Sequence, residues 1–226
     1  MITFGHIGVL IAKDLRIEGR TRQTMGLVLV LGVLIVSVLG LGLSSQPRVA
    51  ALGTPAILWV AYLFSGVLCF EKTMAVERQD GALAGLLLAP IDRSAIYAAK
   101  LCTNLLLMFT TAAVITAIGL LFFNFSLAAA PFGFILVIAV SMIGFAAVGT
   151  LFSALVSSTR LQGGFLAMLV FPLILPLVIA STQQVNVIFA EGASRSPGGA
   201  GLAILLAFDA IFLVVSWIVF ELVLEP

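Results

Sequence analysis

Long apolar runs alternate along this chain with short polar breaks, and the runs set the fold. Six of them lie at about 24–43, 54–70, 101–123, 131–156, 163–181 and 201–220. A helix needs roughly 20 apolar residues to cross about 30 Å of hydrocarbon, so each run reads as a membrane span. The pattern before the first run differs. Phe4, Ile7, Ile11 and Leu15 recur at helical spacing, while Lys13, Arg16 and Arg20 share another face. This predicts an N-terminal amphipathic helix over 1–23, lying in the membrane interface with its basic face toward headgroups. The expected fold is all-α: one polytopic membrane domain over 1–226 with six transmembrane helices.

One polar island breaks the apolar pattern for any length, from Glu71 to Lys100. Glu71, Lys72, Glu77, Arg78, Asp80, Asp92 and Arg93 supply its charge. Inside it lies a short apolar run, Ala82 to Ala89, entered by Asp80-Gly81 and closed by Pro90. The run is too short to span a bilayer. It suits a short surface helix that presents Leu83, Leu86, Leu87 and Leu88 to a groove on a soluble partner.

Composition agrees with the spans and narrows the function. The chain is 62% hydrophobic and 9% charged, with a mean hydropathy of +1.26. Net charge is +1 and no basic stripe stands out, so nucleic acid is not an expected partner. Lys and Arg placement sets the orientation. With the N-terminus cytoplasmic, Lys13, Arg16, Arg20, Arg22, Lys72, Arg78, Arg93, Lys100 and Arg160 lie inside, against Arg48 and Arg195 outside. Both termini and the island therefore face the cytoplasm. A cleaved signal peptide is not expected, because the first apolar run is long and polar, amphipathic sequence precedes it. Cys69 and Cys102 form no CxxC pattern and read as reduced, apolar helix residues.

Several function classes lack their parts. No GxxxxGK[ST] occurs, so ATP dependence needs another polypeptide. The single histidine, His6, lies outside every span, which removes bis-histidine haem ligation, Ser–His proteolysis and HExxH chemistry. Asp209 stands alone inside the sixth span, so no carboxylate pair exists for aspartyl proteolysis. An enzyme, a metal site and a directly bound cofactor are not expected. Asp209 is itself a candidate functional acid, since intramembrane charge is costly. Pro172 and Pro176 are candidate kink or gating positions in the fifth span. Gly133, Gly144 and Gly149, with Ser141, Ala146 and Ala147, predict that the fourth span packs centrally. Thr103 and Asn104 read as glue between helices. The stretch Thr182 to Ala200 reads as a flexible outer loop.

Three blocks resemble one family. They are Pro55-Ala56-Ile57-Leu58-Trp59-Val60-Ala61; Glu71-Lys72 followed by Arg78-Gln79-Asp80-Gly81-Ala82-Leu83 and Leu86-Leu87-Leu88-Ala89-Pro90; and Gly163-Gly164 with Leu169 to Leu177, which holds Pro172 and Pro176. In order and spacing they resemble the haem exporter B family, the ABC-2-type permease subunit of the cytochrome c maturation system. Ala84 and Gly85 depart from a polar pair common in relatives. The resemblance implies a bacterial inner-membrane permease working with a separate ABC ATPase, as two permease copies and two ATPases. It makes the island segment a coupling helix and brings in Arg78, Asp80, Gly81, Leu83, Leu86, Leu87, Leu88 and Pro90 as contacts. Trp59, Glu71, Pro172, Pro176 and Asp209 become candidate transport or gating residues. Haem would be cargo, with haem-handling membrane subunits and a periplasmic haem chaperone as further partners. The alternatives are an ABC-2 permease for a lipid, polysaccharide or drug, and a stand-alone secondary transporter using Asp209.

Overall fold

The computed structural model describes residues 2–79, 85, 92–123, 130–158, 164–191 and 199–223. These form seven helices and no strand: α1 (Ile2–Thr21), α2 (Gln23–Gly42), α3 (Pro47–Gln79), α4 (Arg93–Phe123), α5 (Pro131–Ser158), α6 (Phe165–Glu191) and α7 (Ala200–Val223). The six from α2 onward are long and apolar enough to cross a membrane. Their outward faces are as apolar as their inward ones: Val30, Leu52, Leu121, Ile135 and Ile211 are all exposed. A surface of that kind suits hydrocarbon and not water.

Helical hydrogen bonding outruns hydropathy at several ends. α3 starts at Pro47 and continues to Gln79, and α4 starts at Arg93, so both flanks of the polar island are helical. α6 continues through Glu191, so the expected loop from Thr182 is helical as far as that residue. The reason is its buried stripe: Leu166, Val170, Ile174, Leu177, Ser181, Val185 and Ile188 keep a helical period past the polar Gln183 and Gln184. Two glycines start helices in a backbone that other residues avoid. Gly164 (φ 76°) precedes α6 and Gly199 (φ 74°) precedes α7.

α5 is the centre, touching α3, α4, α6 and α7, as its small residues predict. Its grip on α3 is reciprocal. A Cβ on Gly66 of α3 would lie 2.6 Å from Phe145 Cζ of α5, and a Cβ on Gly149 of α5 would lie 2.7 Å from Phe70 Cζ of α3. Each helix thus offers a glycine socket and a phenylalanine knob one turn apart, and the two rings meet edge to face at 5.1 Å. α2 packs on α3 and α4 through Thr24, Val28, Gly32, Val36 and Gly40. Gly32 brings α2 close enough that a Cβ would lie 2.8 Å from both Ile115 Cγ1 and Ser65 Oγ.

α1 lies against α4 and touches α2. Its bundle-facing side is Ile7, Leu10, Ile11, Asp14 and Glu18, while Leu15 of the expected apolar stripe is exposed. Asp14 Oδ2 accepts a hydrogen bond from Lys100 Nζ of α4 at 2.8 Å, with both side chains more than nine-tenths buried. Arg22, at φ 51°, breaks the chain between α1 and α2. Glu18 then reaches across the break, and its Oε1 accepts the Met25 N–H at 2.6 Å. A carboxylate there satisfies an open amide in the first turn of α2 and complements the helix dipole.

Two stability predictions follow from these contacts. Gly149→Ala drives a methyl into Phe70 and costs about 1–3 kcal/mol, read as a lower melting temperature in detergent. Gly26→Ala, where a Cβ has nothing within 4 Å, leaves it unchanged. Lys100→Met leaves the Asp14 charge buried and costs up to about 3 kcal/mol, the low end for such a break because Lys13 stays 3.2 Å from Asp14. The exchanged pair Asp14→Lys with Lys100→Asp regains most of that loss.

Candidate functional site

Of the island residues singled out by sequence, Asp80, Gly81, Leu83, Leu86, Leu87, Leu88 and Pro90 lie outside the described residues. Arg78 belongs to α3, with its side chain outside them as well. What is described is how the island is rooted. α3 and α4 pack along each other, and Met74 of α3 shares a small apolar core with Ile96 and Tyr97 of α4, Leu151 and Ala154 of α5 and Phe220 of α7. Tyr97 stacks obliquely on Phe220 at 5.0 Å and meets Trp217 edge-on at 6.2 Å.

A polar layer sits beside that core. Thr73 Oγ1 of α3 donates to Asn104 Oδ1 of α4 at 2.8 Å, and Asn104 Nδ2 donates to Thr150 Oγ1 of α5 at 2.9 Å. Asn104 is fully buried, so these bonds replace water and tie three helices together, the glue role expected of it. A cavity of about 30 Å³ adjoins, lined among others by Asp14, Glu18, Thr24, Thr73, Lys100 and Thr103. It has room for water, and Thr103 Oγ1 is buried there without a hydrogen-bond partner among the described residues. Lys100 therefore joins α1 to the first turns of α4, while Asn104, one helical turn on, joins α4 to α3 and α5.

The candidate transport residues do not converge. Trp59 is buried on α3, and its Nε1 donates to Ser181 Oγ of α6 at 3.0 Å. Tyr62, edge-on to Trp59 at 5.7 Å, hydrogen-bonds Thr116 of α4 at 2.6 Å. The one Thr116 proton goes to Ala112 O at 2.6 Å, so Tyr62 is the donor. Glu71 is half-buried on α3, at the level where the island begins. Pro172 and Pro176 lie on the exposed side of α6, which runs unbroken through both. Asp209 is buried on α7 against Gly144 of α5 and Leu177 of α6. A separate apolar groove of about 280 Å³ runs between α4 and α5, walled by Phe109, Ala113, Ala117, Phe134 and Ile138. None of the candidate transport residues lines it.

Sequence reasoning missed the Asp14–Lys100 pair. Lys100 reads as one more cytoplasmic charge, and Asp14 carries a weak signal: a lone acid on the otherwise basic central turn of the first helix. It also missed Tyr62 and Thr116, whose residue types are ordinary in a span.

Comparison with known proteins adds to this geometry. The family model described as CcmB protein matches residues 6–224. The heme exporter protein B of Paracoccus denitrificans (strain Pd 1222) is 27% identical over 180 residues, covering 78% of this chain and 81% of that protein. That of Escherichia coli (strain K12) is 31% identical over 72 residues, 32% of this chain and 33% of that protein. That of Rhodobacter capsulatus is 30% identical over 91 residues, 40% of this chain and 42% of that protein. The aligned part of this chain thus spans about a third of the length of the Escherichia coli relative. The family model nevertheless runs from the first helix to the last, and the chain belongs to the CcmB family.

Proposed function

We propose that this chain is the permease subunit of an ATP-driven ABC transporter that serves haem delivery or export for cytochrome c maturation. The observation that carries the reading is the family match across nearly the whole chain, with relatives named heme exporter protein B. On this reading the protein is a multi-pass component of the bacterial inner membrane with both termini cytoplasmic. α1 lies in the cytoplasmic interface, where its Lys13, Arg16 and Arg20 meet lipid headgroups. ATP enters through a separate ATPase subunit, since the chain has no P-loop sequence of its own. A second permease copy and a second ATPase complete the unit. Haem-handling membrane subunits and a periplasmic haem chaperone are the further partners, and haem is the cargo or the load on the chaperone that is released.

The segment Asp80 to Ala89 acts as the coupling helix, with Arg78, Asp80, Gly81, Leu83, Leu86, Leu87, Leu88 and Pro90 meeting a cleft of the ATPase. The rooting of the island supports this role. A displacement of the segment acts first on α3 and α4. It then reaches α5 through Thr73, Asn104 and Thr150, and α1 through Lys100 and Asp14. Within the bundle, Glu71 lies where the push enters. Trp59 ties α3 to α6, so that pair transmits it to the helix carrying Pro172 and Pro176. Asp209 is the buried acid that a rearrangement of α7 would expose.

Leu86→Asp and Leu87→Asp are expected to weaken assembly with the ATPase subunit by about tenfold or more, the scale of losing an interface anchor. Co-purification and ATPase activity measure this; full assembly and activity in both variants reject the coupling-helix assignment. Deletion of the gene in its native host is expected to abolish covalent haem on c-type cytochromes, scored by haem staining. Intact cytochromes would mean an ABC-2 permease for another substrate.

A further inference from the structure

Asp209 has surroundings that ordinary packing does not explain. By helix rise it lies about 14 Å along α7 from Ala200 and about 17 Å from Phe220, close to the middle of the span. It is only 6% exposed, and its Oδ1 makes no hydrogen bond among the described residues. The carboxyl occupies the space over Gly144 of α5, where a Cβ would also lie 2.7 Å from Leu177 Cδ1 and 3.0 Å from Phe208 Cδ1. Glycine at 144 is what lets the acid fit between α5, α6 and α7.

The described helices packed around it offer no counter-charge at its depth. α5 contains no ionisable residue at all. α6 contains only Glu191, about 21 Å along the helix from Leu177 by its rise. α7 itself adds only Glu221. α4, the other helix packed against α7, has Arg93, Tyr97, Lys100 and Cys102 near its cytoplasmic end, and Lys100 is bound to Asp14. An ionised carboxylate buried at this depth, with one oxygen unpartnered and no described cation beside it, is strongly disfavoured.

We propose that Asp209 is an intramembrane proton-binding site: it holds its proton while α5, α6 and α7 are packed, and releases it when they part and water enters. The ligand is the proton, and the site is the pocket formed by Gly144, Leu177 and Phe208. The packed state then binds one proton more than the opened state. Its stability relative to the opened state is therefore greatest in acid and declines as pH rises above the ordinary carboxylate range of about 4. This assignment depends on the chain spanning the membrane, and on neither the proposed cargo nor the ATPase.

The test uses the full chain in lipid nanodiscs, labelled with carbon-13 at the aspartate carboxyl, and infrared spectroscopy at about pH 8, far above the ordinary carboxylate range. The other three aspartates are Asp14, Asp80 and Asp92, so the Asp209→Asn variant assigns the band that belongs to Asp209. The expected result is a labelled carbonyl band of a protonated acid, lost in Asp209→Asn and displaced in Gly144→Ala. The melting temperature of the wild type is expected to fall with rising pH relative to Asp209→Asn. A labelled sample with carboxylate bands alone overturns the assignment, as does a wild-type pH profile parallel to that of Asp209→Asn.

Discussion

The reciprocal seating of Phe70 over Gly149 and of Phe145 against Gly66 fixes the distance and register of α3 and α5, and the remaining spans are arranged around that pair. In hydrocarbon there is no hydrophobic gain from bringing two helices together, because lipid is as apolar as a leucine side chain. Association has to come from close packing, and two glycine sockets let two aromatic rings approach a facing backbone. Because socket and knob alternate between the helices, sliding either one by a residue removes both contacts at once. α5 can then receive α7 and α6 on its other faces, while α2 fills the groove between α3 and α4 through its own glycine stripe.

The end of the bundle that carries the polar island is held by different means. There the helices leave hydrocarbon, and polar side chains take over: Thr73, Asn104 and Thr150 across three spans, Asp14 with Lys100, and Glu18 at the start of α2. Each of these is a directional contact with a defined geometry. The polar island therefore emerges from a braced platform. α3 and α4 carry their packing past the apolar boundary, through Met74, Ile96 and Tyr97.

The spans were legible because the hydrocarbon thickness imposes a length that apolar runs must match, and the central place of α5 was legible from its small residues. Helix ends were not, since hydropathy stops at the first charges while backbone hydrogen bonding continues; α3, α4 and α6 all overrun for this reason. Leu15 of the stripe expected to face lipid is exposed, and the side of α1 that meets the bundle is centred on Asp14. A periodicity argument ranks residues by hydrophobicity, and it gives no weight to an acid whose partner lies on a distant helix. Among the candidate site residues, Trp59 and Asp209 are buried and Pro172 and Pro176 face outward, a distinction that spacing in a wholly apolar helix does not carry. The coupling residues from Asp80 to Pro90 rest on the family pattern and on the rooting of their flanks.

These two modes of holding distribute rigidity unevenly. α3 and α5 are tied twice, by aromatic seating that reaches the end of the apolar run at Phe70 and by the polar layer next to it, and α4 joins them through that layer. α7 is joined to α5 by the hydrogen bond from Ser216 Oγ to Ala147 O at 3.3 Å, by apolar contacts and by the Asp209–Gly144 approach. α6 is fixed to α3 by Trp59 and Ser181 but presents its two prolines outward, where the backbone carbonyls they free lie at its surface. A force applied to the island on the proposed reading therefore meets a stiff triad, and the compliant direction lies toward α6 and α7. Opening there separates α7 from α5 at Gly144, which is where water would reach Asp209. The position of Asp209 is thus tied to the mechanics of the bundle: the group whose charge depends on staying closed sits where α7 packs on α5 at Gly144.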